Sequence, residues 1–236
     1  MRSIALAIGL LALIPTFATA EILPQTEGYS VEVTFSDNLQ QRMASINGLE
    51  QRLEARFREN RHYATSPREA GSQRFAKSRT EGTEWAGERL IGDVSDFTLD
   101  NLLEALVAYN VNRAAPDFEG RIEIHIDELK LTNPSIAFLE SFQSYAEGRV
   151  KVTDADGNVL FDEKVRTNLV IDSTVDTSYD GPELAFAETD PSQRAGPTLA
   201  YFVGRALKRA WPERKSEIVG PVIIRVSGPN ERVILD

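Results

Sequence analysis

The chain has two histidines in 236 residues, so histidine chemistry must run through His62 or His125. His125 lies in the segment Glu123-Ile124-His125-Ile126-Asp127. As a strand, this segment places Glu123, His125 and Asp127 side by side on one face. An imidazole flanked by carboxylates can serve as a general base or a pH-responsive group. The simpler reading is a polar strip facing water, since any half-solvated strand alternates in this way. His62, between Arg61 and Tyr63 in a polar stretch, reads as a solvated loop residue.

Acidic groups offer two further chemistries. Asp154-Ala155-Asp156-Gly157 resembles part of a calcium loop, but an EF-hand needs an oxygen ligand where this chain has Val152, so a hairpin turn is expected instead. The stretch 172–190 carries Asp172, Asp176, Asp180, Glu183, Glu188 and Asp190. Their oxygens could gather around a cation, although the spacing alone defines no site. A carboxylate pair for hydrolysis need not be close in sequence, and nothing singles one out.

Other chemistries are absent from the sequence. There is no cysteine, hence no disulfide, no thiolate metal site and no thiol nucleophile. Two histidines are too few for a multi-histidine zinc site. The nucleophile elbow, Ser-x-x-Lys, P-loop and dinucleotide-binding patterns are missing as well. No cofactor is expected. Trp85, Trp211, Phe202 and Tyr201 are expected in the core rather than as a ligand platform, because burial alone accounts for them.

These residues must be carried by an α+β scaffold. Tyr29, Val31, Val33 and Phe35 alternate as a strand. Leu39, Met43, Ile46, Leu49, Leu53 and Phe57 recur at helical spacing, with Arg and Glu expected on the outer face. Periodicity then disappears over 62–82, which reads as a mobile insertion, and a short strand is expected within 85–94. Thr98 caps a helix with Leu99, Leu102, Leu103, Leu106 and Val107 on its apolar face. Residues 121–131 form the clearest strand, with a phase slip at Asp127-Glu128 that predicts a β-bulge. Two alternating runs around the Asp-x-Asp-Gly turn form a hairpin. An acidic loop, a helix from Gly196 to Trp211 and a closing strand over 222–226 complete the chain. The expected fold is a mainly antiparallel sheet with two or three helices packed on one face.

Residues 1–20 combine Arg2, a fourteen-residue apolar run from Ile4 to Phe17, and Ala18-Thr19-Ala20. That is the pattern of a secretory signal peptide cleaved between Ala20 and Glu21, which leaves 21–236 as a single α+β domain. The apolar run is too short to span a bilayer. The absence of both cysteine and a glycosylation acceptor favours a bacterial periplasm over a eukaryotic extracellular space. Formal net charge is −10, and residues 91–200 hold twenty-one acids against eight bases. Such a balance disfavours nucleic acid and anionic membrane surfaces as partners, and with no later stretch apolar enough to span a bilayer, no stable membrane insertion is expected.

The order of a Leu-rich helix, the strand Arg-Ile-Glu-Ile-His-Ile-Asp-Glu-Leu-Lys-Leu, a Gly-Arg-Val-Lys-Val-x-Asp-x-Asp-Gly hairpin and a helix ending Ala-Leu-Lys-Arg-Ala-Trp resembles the YajG-like and ABC-transport auxiliary envelope lipoproteins. It covers roughly residues 91–211. The resemblance implies a non-enzymatic accessory role at the cell envelope, but no lipid anchor, because the lipidated cysteine is missing. The leading expectation is a non-catalytic periplasmic protein that binds a partner protein or small ligand. The alternatives are a periplasmic hydrolase using carboxylates or His125, and a cation-binding protein using 172–190. Met43, Ile46, Leu53 and Phe57 form the candidate partner surface, through docking or self-association into a homo-oligomer. The competing reading is that they simply cover the sheet.

Overall fold

The computed structural model describes residues 26–60, 83–131, 144–168, 174–175, 179–187 and 194–224. The signal-like segment and the insertion expected at 62–82 lie outside these residues. The elements in chain order are β1 (Tyr29–Phe35), α1 (Asp37–Asn60), α2 (Ala86–Leu90), α3 (Leu99–Ala114), β2 (Gly120–Lys130), β3 (Tyr145–Asp154) and β4 (Val159–Asn168), followed by β5 (Thr174–Val175), β6 (Leu184–Ala187), α4 (Ala195–Ala210) and β7 (Pro221–Ile224).

Four strands form a sheet in the order β1-β2-β3-β4. The pairs β2–β3 and β3–β4 are antiparallel, and β1 runs parallel to β2. A parallel pair needs a long crossover, and the helices between β1 and β2 supply it. The fold is therefore α+β with a mainly antiparallel sheet. One face of the sheet is covered by helices. Ile122, Ile124, Ile126, Ala146, Val150, Val152 and Val165 pack there with the buried sides of α3 and α4. Each fully buried Leu, Ile or Phe of this layer contributes about 1.5–3 kcal/mol relative to leaving it in water. The other face is polar.

Local signals behave as their chemistry requires. Thr98 Oγ1 accepts from Asn101 N–H at 3.4 Å, capping α3. The β2–β3 register shifts between Ile126 and Glu128, where the phase slip predicted a bulge. Gly157 has φ +86° in the hairpin turn, a conformation that glycine adopts without steric cost. Asp154 braces the same turn by accepting from Asn158 N–H at 2.8 Å.

Four expectations are corrected. The segment after Trp85 is a short helix, α2, with Trp85 itself making a single bridge to Ala185. Alternation through Val159, Phe161 and Val165 places Val159 inward with Phe161, but a second register shift, at Val152/Thr153 against Phe161/Val159, turns it out to 54% exposure. The acidic stretch contains β5 and β6, which flank β7 in a small parallel sheet. Strand β6, Leu184-Ala185-Phe186-Ala187, is buried throughout. Finally, the acids of α1 are not all outside: Glu50 and Glu54 are 0% and 2% exposed. Among the described residues no helix is long and apolar enough to cross a membrane.

Candidate functional site

A groove of about 640 Å³ opens beside α4. One wall is the solvent side of that helix, where Tyr201, Arg205, Lys208 and Arg209 line the space. The apolar stripe Leu199, Phe202, Val203, Ala206 and Leu207 holds the helix against the core. That leaves positions 201, 205 and 208 stacked on the opposite side at four- and three-residue intervals. The other wall is formed by Glu183 just before β6 and by Gly220 and Pro221 at the start of β7. Leu184 N–H donates to Gly220 C=O at 3.1 Å and ties these two segments together.

The position of Glu183 is fixed from below. Arg89 of α2 donates to the carbonyls of Gly181 at 3.2 Å, Pro182 at 3.4 Å and Glu183 at 3.3 Å. Tyr109 of α3 donates its hydroxyl to Pro182 C=O at 2.5 Å. The guanidinium of Arg89 also lies 5.9 Å from the centre of the Tyr109 ring. A carbonyl cluster around one arginine holds the 181–183 segment rigidly enough to serve as a wall.

Charge within the groove is unbalanced. Arg209 pairs with Glu163 of β4. Arg205 and Lys208 have no carboxylate partner among the described residues. Lys208 and Arg209 lie in the last turn of α4, where the helix dipole favours cations; Arg205 lies before that turn. Tyr201 is half-buried rather than core, and Trp211 is likewise half-buried, edge-on to Phe118 at 5.3 Å. Sequence reasoning missed the groove because it used the apolar stripe of this helix and gave its cations to the dipole. The signal was present in the Tyr201-Arg205-Lys208 spacing.

The His125 strip is on the open face of the sheet, as the strand periodicity requires. Its recess measures about 210 Å³ and includes Glu32, Thr34, Glu123, Arg149 and Lys151. His125 Nδ1 is 2.9 Å from Thr34 Oγ1, and Nε2 is 3.5 Å from Asp127 Oδ1. The surrounding charges are already matched to one another. Lys151 lies 3.3 Å from Glu123, Lys164 lies 3.4 Å from Asp127 and 2.7 Å from Glu147, and Arg149 grips Asp162 at 2.6 and 2.9 Å. The Arg149 hydrogen bond holds the Asp162 carboxyl below its ordinary value, and the Glu147 and Asp127 carboxylates raise Lys164. These are exposed cross-strand pairs, each of small individual worth.

The other acidic candidates separate. Asp180 and Glu183 are described, whereas Asp172, Asp176, Glu188 and Asp190 fall outside the described residues. Among the described residues no cluster of three or more metal-ligating side chains occurs. Two acids of α1 are instead held inside the protein. Glu54 accepts from Arg58 at 2.6 Å and is paired with Arg194, while Glu50 Oε1 accepts from Ala195 N–H at 3.0 Å at the start of α4. Arg194 is 3% exposed and stacks 5.3 Å from the Phe97 ring centre. This is a sealed ionic joint between α1 and α4.

The candidate partner surface is corrected by burial. Met43, Leu53 and Phe57 are 9%, 7% and 4% exposed, and Ile46 packs against the main core. Phe57 meets Trp85 edge-to-face at 5.0 Å. In this fold Met43, Ile46, Leu53 and Phe57 are taken up by packing, and of the α1 stripe Leu49 stands 43% exposed.

No family model, curated protein or solved structure matches the chain.

Proposed function

We propose that the protein is exported to the bacterial periplasm and acts there as a non-catalytic binding protein at the cell envelope, holding a small ligand in the α4 groove. The observation that carries this reading is the groove itself. It is concave, its volume lies within the roughly 300–1,000 Å³ typical of small-molecule sites, and it presents cations that no described neighbour neutralises. The hydrolase alternative has weaker support. The His125 recess is smaller and its charges are internally paired, and the buried carboxylates are occupied by arginines and a helix terminus. The signal-like segment at 1–20 supports export.

Protein recovered from the envelope of the cells that make it should begin at Glu21 by mass spectrometry. A dialysable periplasmic extract should raise its melting temperature, since a ligand at 100 times its Kd adds about 2.7 kcal/mol of stability. The Arg205→Glu/Lys208→Glu variant should lose that gain while melting as the wild type does without extract. A chain that retains residues 1–20 would remove the localisation. An extract with no effect on the wild type would remove the small-ligand reading.

A further inference from the structure

We propose that the α4 groove binds a phosphate ester bearing an ammonium or hydroxyl group close to its phosphate. The proposal rests on the binding reading above and names the ligand class for the same groove.

The cationic wall sets the first requirement. In a chain of net charge −10, most bases of the open sheet face are matched to acids. Arg205 and Lys208 have no such match among the described residues, and both face the groove, one helical turn apart. An Arg fork and a Lys point charge, together with the Tyr201 hydroxyl one turn earlier, match an anion with several oxygens. A phosphoryl group spreads its acceptors tetrahedrally, so donors at three levels of the helix can reach it at once, whereas a carboxylate holds its acceptors in one plane.

The opposite wall sets the second requirement. Glu183 is an acceptor, held in place through the carbonyls that Arg89 and Tyr109 grip. A uniformly anionic ligand would be repelled there. A ligand that places an ammonium or hydroxyl donor against Glu183 satisfies both walls, and the Tyr201 ring can also face a cation. The acidic remainder of the protein excludes long polyanions for the same reason that it disfavours nucleic acid.

Gly220, in the same wall as Glu183, provides a clean control. A Cβ built on Gly220 meets nothing within 4 Å, and the residue is not in the left-handed region. A Leu at position 220 therefore projects into open groove space without displacing the backbone.

The test is calorimetric titration of the full chain with O-phosphoethanolamine, inorganic phosphate and ethanolamine, alongside sedimentation with phosphatidylethanolamine vesicles. Saturable binding of O-phosphoethanolamine is expected, at least tenfold tighter than either fragment. Arg205→Gln/Lys208→Gln should weaken it at least tenfold, and Glu183→Gln should reduce it to the level of inorganic phosphate. Gly220→Leu should abolish it with an unchanged circular dichroism spectrum and melting temperature. Binding to the soluble probe alone identifies a free phosphate ester, and co-sedimentation that Gly220→Leu removes identifies a lipid headgroup; either supports the proposal. Absence of binding in both arms, or binding that survives Gly220→Leu, overturns it. The two readings can fail separately. If the periplasmic extract still stabilises the protein after phosphatase and phosphodiesterase treatment, the phosphate class is wrong and the binding reading stands. If untreated extract is also inert, both fall.

Discussion

Arg194→Met should destabilise the protein by about 3–5 kcal/mol, because it removes one partner from a buried ionic joint. Glu50 and Glu54 are 0% and 2% exposed, and Arg194 is 3% exposed between them and the Phe97 ring. Burial pushes the Glu54 carboxyl up, but the Arg194 and Arg58 guanidinium groups outweigh it and hold the carboxyl below its ordinary 4.5. Without Arg194, Glu54 loses one of the two guanidinium groups that compensate it among the described residues, Arg58 being the other, and Glu50 loses the cation beside it while keeping the Ala195 N–H at the start of α4. With a slope near 2 kcal/mol/M, the urea midpoint should fall by about 2 M. The same joint predicts acid sensitivity. A carboxyl with a depressed folded pKa contributes stability that is fully present above its unfolded value, and that contribution is lost as pH falls through the folded value. Wild-type stability should therefore decline below pH 4.5, and Glu54→Gln should start lower and decline less. An Arg194→Met midpoint within 0.5 M of wild type would show that the joint is unimportant.

Gly148→Ala should cost about 3 kcal/mol or more, a loss in the range reserved for backbone strain and overpacking. Gly148 pairs with Ile126 just before the β2 bulge. A Cβ there would sit 2.3 Å from the His125 carbonyl oxygen and 3.1 Å from Ile126 Cα. Neither backbone atom can rotate away as a side chain end can, so β2 and β3 would have to separate at the bulge. The loss should appear as a lower melting temperature, and as faster amide exchange in Ile124 and Ile126 than in α3. An Ala variant of wild-type stability would mean that the two strands are less closely apposed than described.

Much of the scaffold is legible from the sequence. The strands over 29–35 and 120–130, the capped α3, the Gly157 hairpin and the α4 stripe all rest on local periodicity or turn chemistry. The parallel pairing of β1 with β2 does not, since an alternating strand looks the same beside a neighbour of either direction. The strand β6 is four residues long and lies among acids, too short for alternation to emerge. The buried joint illustrates a conflict between position and residue type. Glu50 and Glu54 share the inward phase of Met43, Leu53 and Phe57, but an isolated helix gives no reason to bury an acid; the reason is Arg194, 140 residues away from Glu54. The groove was only half legible. Its α4 wall is written in one helix, whereas Glu183 and Gly220 reach it only through the packing of the small sheet.

The proposed ligand site is the α4 groove and not the open face of the sheet. This placement is tested most directly by photocrosslinking inside the native envelope, with p-benzoylphenylalanine replacing Tyr201 in one protein and Thr34, beside His125, in another. The measurement is the mass added to each protein after irradiation. A discrete small-molecule adduct at position 201 that disappears when Gly220→Leu is introduced, with none at position 34, is the predicted result. An adduct at position 34 and none at 201, or one at 201 that persists with the groove filled, would contradict the account.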